Sequence, residues 1–194
     1  MNWTRLRSSE GRSDFSRRRS WAAGLAAGVL VLGVAPPASA ESLVVVDGDD
    51  SVAGVDLMRA RVTYAPRQVR VRTVHDNLVR QAIRAQQWIT VHVDTDPDDA
   101  GPEYRLQGAL NRGTDYQLLK VKGWRGGGRT LTCAHRMRID WKRDVVRVAF
   151  GRGCLGEPES VRVALVVGEM SHEGETYKDW LLGPRRWTEE LQRG

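Results

Sequence analysis

The chain has 194 residues, a formal net charge of +6 and a sequence pI near 9.8. Residues 1–40 hold six arginines against Glu10 and Asp14, which leaves residues 41–194 near +2 of the formal +6. So small a charge argues against a nucleic-acid partner, and a count of two cysteines excludes a disulfide-stapled mini-domain.

Residues 1–40 read as an export signal. An arginine-rich start is followed by the apolar run 21–35, then Pro36 and Pro37, then Ala38, Ser39 and Ala40 as a small-x-small cleavage pattern. A spanning helix needs about 20 apolar residues, and this run is shorter. Arg17, Arg18 and Arg19 before Ser20 and Trp21 also suit the twin-arginine route, although Sec signals carry such runs too. The expected product begins at Glu41. It is secreted or cell-wall associated, monomeric and free of the membrane. Residues 41–194 suit one domain with a proper core.

Residues 42–46 are β-prone and lead into an acidic turn, Asp47, Gly48, Asp49 and Asp50. In the next strand Met58, Ala60, Val62 and Tyr64 alternate with Arg59, Arg61 and Thr63. After a turn at Pro66, Val69, Val71 and Thr73 alternate with Arg70 and Arg72. A period of two with one apolar side predicts a hairpin resting on a core, with the arginines on its solvated face. Residues 75–87 allow either a short helix or a strand running into an irregular linker.

The strand at 88–94 places Ile89, Val91 and Val93 on one side and Thr90 and His92 on the other. It ends in a dense acidic turn containing Asp94, Asp96, Asp98 and Asp99. Strands are expected at 103–110 and 116–123, then one long strand at 130–140. The Asp140–Arg143 hairpin leads to a strand at 144–150. The near-continuous apolar run 161–170 reads as a strand covered on both faces, and 188–193 as a short helix. Short strands between turn signals predict an all-β fold, a single antiparallel, jelly-roll-like sandwich of roughly eight to ten strands. In the oxidising compartment that export implies, Cys133 and Cys154 are expected to pair.

The acidic turn is the best candidate for chemistry. Calcium takes six to eight oxygen ligands, and Asp94, Asp96 and Asp98 have the every-second-residue spacing that can curl around an ion. The match to an EF-hand fails, because Asp99 stands where glycine is needed and Arg105 where the bidentate glutamate belongs. Asp47, Asp49, Asp50 and Asp56 form a second acidic group able to complete a site in three dimensions. An ordinary solvated turn has the same composition.

His75, His92, His135 and His172 show no ligand spacing, and no nucleophile elbow is present. No two carboxylates stand out as a glycosidase pair. Among the tryptophans, Trp124 beside a Gly-rich loop and Trp141 in a tight turn are the exposed candidates for stacking on sugar. Trp88, Trp180 and Trp187 are expected to plug the core and its ends.

The opening at Asp47, Gly48, Asp49 and Asp50, the strand end Val93, Asp94, Thr95 and Asp96, and the run from Gly101 to Leu106 resemble a family of secreted domains. These are the DOMON-like and family-nine-like carbohydrate-binding β-sandwiches. Cys133, Cys154 with Leu155 and Gly156, and the Asp179 and Trp180 tail are similar to uncharacterised secreted proteins of high-GC Gram-positive (actinobacterial) species. The resemblance implies a β-sandwich with a structural calcium at Asp94 and Asp96; the family's sugar-clamping tryptophans have no secure counterpart. The expected function is a non-catalytic exported domain that binds an extracellular polysaccharide. The alternatives are a structural domain that binds another surface protein, and a secreted hydrolase.

Overall fold

The computed structural model describes residues 39–51, 54–81, 86–113, 115–125 and 127–194. The expected signal peptide falls outside them, apart from Ser39 and Ala40. Twelve strands are described: β1 Glu41–Val46, β2 Asp56–Ala65, β3 Gln68–Asp76, β4 Gln86–Asp94, β5 Tyr104–Ala109, β6 Tyr116–Lys120, β7 Arg129–Leu131, β8 His135–Asp140, β9 Val145–Gly151, β10 Ser160–Met170, β11 Thr176–Trp180 and β12 Leu191–Gln192.

They form two antiparallel sheets. The five-stranded sheet has the order β1-β2-β3-β9-β8; the seven-stranded sheet has the order β11-β10-β4-β5-β6-β7, with β12 also on β10. Strands β3 and β9 pair in one sheet, and the chain following each, β4 and β10, pairs in the other. This is the jelly-roll-like wrapping of a doubled chain over a common core.

The alternation in the sequence sets the register. In the five-stranded sheet Val62, Val71, Val148 and Met137 lie in one cross-strand row. In the other sheet Leu165, Val91, Leu106, Leu118 and Leu131 do the same. These two inner rows are buried against each other, with Leu131 partly exposed. A slip of one residue in any strand would turn its core side chains into solvent. At β2 a bulge between Leu57 and Arg59 makes such a shift locally, so Leu57 rather than Met58 is buried.

Two expectations need correction, and one alternative left open is decided where the residues are described. The long strand at 130–140 is two strands, β7 on β6 and β8 on β9, in opposite sheets. Both sheets face the same core, so the alternation continues through the crossover and hides it. This split, together with β11 and β12 in the tail, takes the strand count to twelve among the described residues, above the eight to ten expected. The helix at 188–193 is instead an extended segment ending in β12. Thr188 donates its N–H to the Val163 carbonyl (2.9 Å) and accepts from the Val163 N–H through Oγ1 (3.1 Å), so the free edge of β10 captures the chain. The helical option after His75 is not taken at 77–81. There the buried Gln87 side chain accepts from Val79 N–H (2.7 Å) and donates to the Asn77 carbonyl (2.8 Å).

Cys133, in the crossover from β7 to β8, is disulfide-bonded to Cys154. The bond closes a segment with a sequence separation of 21. Loop-closure entropy for a loop of that size amounts to about 3 kcal/mol. Replacing both cysteines by serine should lower the unfolding free energy by about that much, read as an earlier urea midpoint. An unchanged midpoint would show that the crossover needs no covalent tie.

Candidate functional site

Because Ile89, Val91 and Val93 point inward, the other side of β4 presents Trp88, Thr90, His92 and Asp94 on the outer face of the seven-stranded sheet. Neighbouring strands leave room for these groups. Gly168 pairs with Trp88, and a Cβ on it would collide with the indole. Ala164 pairs with His92. The Trp88 ring thus lies against the β10 backbone, and His92 sinks to 6% exposure.

A loop roofs this face. Val121 N–H donates to the Glu103 carbonyl (2.8 Å) and Gly123 N–H to the Pro102 carbonyl (3.0 Å). This fixes Trp124 over His92, with ring centroids 5.0 Å apart. Gly101, at φ +104°, sits under it, and an added Cβ would come 2.9 Å from Trp124 Cδ1. The acidic turn therefore seats an aromatic ring. Trp180 stacks parallel on His92 at 5.9 Å, and Trp187 packs on Trp124 at 4.8 Å. Trp88, Trp180 and Trp187 do not plug the core, and the described core contains no tryptophan. All three are half-buried on the outside of the sheet.

Between these rings lies a cleft of about 220 Å³, with Trp88, Trp124 and Trp180 as walls and Val166 on its floor. Thr90, Gln107, Lys178 and Arg185 supply polar groups at its rim. The Nδ1 of His92 has no hydrogen-bond partner among the described residues. Burial, with the nearby charges of Arg105 and Arg185, holds its pKa down at about 4. His92 is therefore neutral at pH 7, and it lines the cleft while its Nδ1 stays buried.

Of the two expected stacking residues, Trp124 belongs to this cleft. Trp141 lies elsewhere, in the β8–β9 turn. Its Nε1 donates to the Leu110 carbonyl (2.8 Å), and the Arg80 guanidinium covers its ring at 5.6 Å.

The two acidic groups lie at opposite ends of the seven-stranded sheet. Asp94 is opposite Arg162, whereas Asp179 is opposite Val167, five residues further along β10 or about 16 Å. Asp94 is neutralised by Arg162 at 2.7 Å, and Asp96 and Asp98 are exposed in a turn where their N–H groups donate to the side chains of Asp94 and Asp96.

The second group is built differently. Carboxylate oxygens of Asp50, Asp56 and Asp179 lie within 4.8 Å of one another. Asp56 starts β2 in one sheet and Asp179 is on β11 in the other, so the cluster joins the two layers. Asp56 is 2% exposed and its Oδ2 is unpartnered among the described residues, as is Oδ2 of the neighbouring Asp47. Asp49 is exposed in the same turn and is not one of the three that converge. One oxygen of Asp179 accepts the Leu57 N–H at 2.6 Å. Even so, burial and the charges of Asp47, Asp56 and Asp50 raise the Asp179 pKa to about 6. An all-oxygen, partly buried and mutually repelling donor set fits calcium. Asp179 carried no acidic signal in its own stretch; only the pairing of β11 with β10 turns it inward. Compared with models of known protein families and with curated proteins, the chain matches none.

The cluster predicts an unusual pH dependence. A carboxyl whose pKa is higher folded than unfolded stabilises the fold below its unfolded value, 3.8, and that stability is lost as pH rises to about 6. In chelator, Tm should therefore fall between pH 4 and pH 6. A cation replaces the proton, so calcium should restore Tm at pH 7.5. Asp179→Asn keeps an acceptor for Leu57 while removing a charge, and it should weaken both responses, with the carboxyls of Asp47 and Asp56, also raised in pKa, left to supply the remainder. Thermal curves that coincide with and without calcium would remove the ion from this account.

Proposed function

We propose that the protein is an exported, non-catalytic β-sandwich that binds extracellular carbohydrate on the outer face of its seven-stranded sheet. A structural calcium ion joins its two layers through Asp50, Asp56 and Asp179, with Asp47 beside them. The observation that carries the binding reading is the Trp88, Trp124 and Trp180 cleft, which His92, with a buried Nδ1 unpartnered among the described residues, also lines. Sugar rings offer flat C–H faces to indoles and hydroxyls to polar groups. Here Thr90, Gln107 and Lys178 line the same cleft as the aromatic walls.

His92 bears on the choice between binding and catalysis. A base with a pKa near 4 drives proton transfer poorly at neutral pH. As a neutral imidazole it can still donate to, or accept from, a hydroxyl. Export is supported by the arginine-rich start, the apolar run 21–35 and the small-residue pattern at 38–40. The disulfide suits the same compartment.

Binding should shift tryptophan emission, because three indoles line the cleft. Affinity electrophoresis on cell-wall and plant polysaccharides should show retardation. Trp124→Ala should weaken it about tenfold, a loss of roughly 1.4 kcal/mol, whereas Trp141→Ala should leave the affinity alone and lower Tm. Gly168→Val should displace Trp88 and weaken binding in the same way. No retardation on any glycan, with tryptophan emission unchanged, would favour a structural or protein-binding role instead.

A further inference from the structure

The outer face of the five-stranded sheet carries a second feature. Register places Arg61, Arg72, Arg147 and Arg138 directly opposite one another across β2, β3, β9 and β8. Adjacent Cα atoms in such a row are about 5 Å apart, so four guanidinium groups stand in line over about 15 Å. Two residues along, a second row holds Arg70 and Arg136, separated by the small side chain of Ala149. The recess between the rows has a volume of about 330 Å³ and a floor that includes Thr63, Val71 and Val148.

Like charges directly opposite in a sheet destabilise it. Among the described residues none of these six arginines makes an ion pair; the pairs formed use Arg143, Arg152, Arg162 and Arg193. The carboxylates on this face, Asp76 and Asp140, stand at one end of it, and Asp140 is engaged by Arg143. Desolvation, with Arg147, Arg59 and Arg61 nearby, pulls the pKa of Arg72 down. The row thus lacks internal counter-charge where its members crowd most closely.

We propose that this arginine ladder is a binding site for a linear acidic polysaccharide that carries one carboxylate per sugar ring. Three observations select that partner. The charges repeat once per strand along a straight row, a pitch close to the length of one sugar ring. Guanidinium forks bind carboxylates bidentately. No aromatic side chain occupies the outward positions of β2, β3, β8 and β9, whereas single-stranded nucleic acid sites combine basic grooves with stacking rings. The ladder is on the sheet opposite the aromatic cleft, and its argument does not depend on that cleft.

Purified protein titrated with polygalacturonate at low salt tests this directly. Binding is expected, with affinity falling as salt rises and tryptophan emission constant, because no indole faces the ladder. The fully methyl-esterified polymer should not bind. Arg72→Gln with Arg147→Gln should weaken binding about tenfold for each guanidinium removed. The same change relieves repulsion, so Tm should hold or rise, and a binding loss cannot be ascribed to unfolding. The proposal is overturned by absence of polygalacturonate binding, or by full affinity in the double variant. It is equally overturned if binding shifts tryptophan emission, which would place the polymer in the cleft. Tighter binding of a single-stranded oligonucleotide or of phosphatidylglycerol vesicles would assign the ladder to a different partner.

Discussion

The structure depends on one constraint, the two-residue period of its strands held in register by the inner apolar rows. Once Val62, Val71, Val148 and Met137 align on the core, the residues between them must align outside. Arg61, Arg72, Arg147 and Arg138 form a row for that reason, despite their repulsion. The same rule on the other sheet sends Ile89, Val91 and Val93 inward and sets Trp88, His92 and Trp180 side by side outside. Both outer faces are thus consequences of core packing, and each inherits its chemistry from what alternates with valine and leucine.

Much of this was legible in the sequence. Alternation at 58–73 marks the hairpin and its faces, and the cysteine pair is what the export expected from residues 1–40 would imply. Other features were hidden for definite reasons. Period two cannot tell one strand from two strands in facing sheets, so the crossover at Cys133 left no trace. The assignment of Trp88, Trp180 and Trp187 to the core followed their size rather than their position. The alternation of β4 already placed Trp88 outside. Arg162 lies 68 residues from Asp94, and only the pairing of β10 with β4 reveals that this carboxylate is neutralised. Asp179 is a lone aspartate in its own segment, and its approach to Asp56 requires the fold.

The acidic turn and the aromatic cleft are linked through a single loop. Asp94 sits in an Arg162 ion pair, Arg162 lies over Trp187 at 5.5 Å, Trp187 packs on Trp124, and Trp124 rests on Gly101 of the turn. A buried carboxylate requires a fixed cation, and this cation is fixed against the ring that supports the cleft. The turn's structural charge acts on recognition by holding tryptophan geometry. At the far end of the sheet, the Asp50, Asp56 and Asp179 group makes no ion pair with an arginine among the described residues. There we assign the missing positive charge to protons at low pH and to a calcium ion at neutral pH.

The two sheets therefore present opposed kinds of surface. One is an aromatic cleft around His92 with Lys178 and Arg185 among its lining residues, where affinity would come from stacking and directed hydrogen bonds. The other is a line of uncompensated charge whose attraction is long-ranged and screened by salt. Cross-strand repulsion in the ladder is a standing cost to stability, and a single carboxylate at any of its positions would relieve it. A sheet held only for its own sake would interleave the two signs of charge. The concentration of one sign on β2, β3, β9 and β8 is better explained by an external counter-charge than by any requirement of the fold.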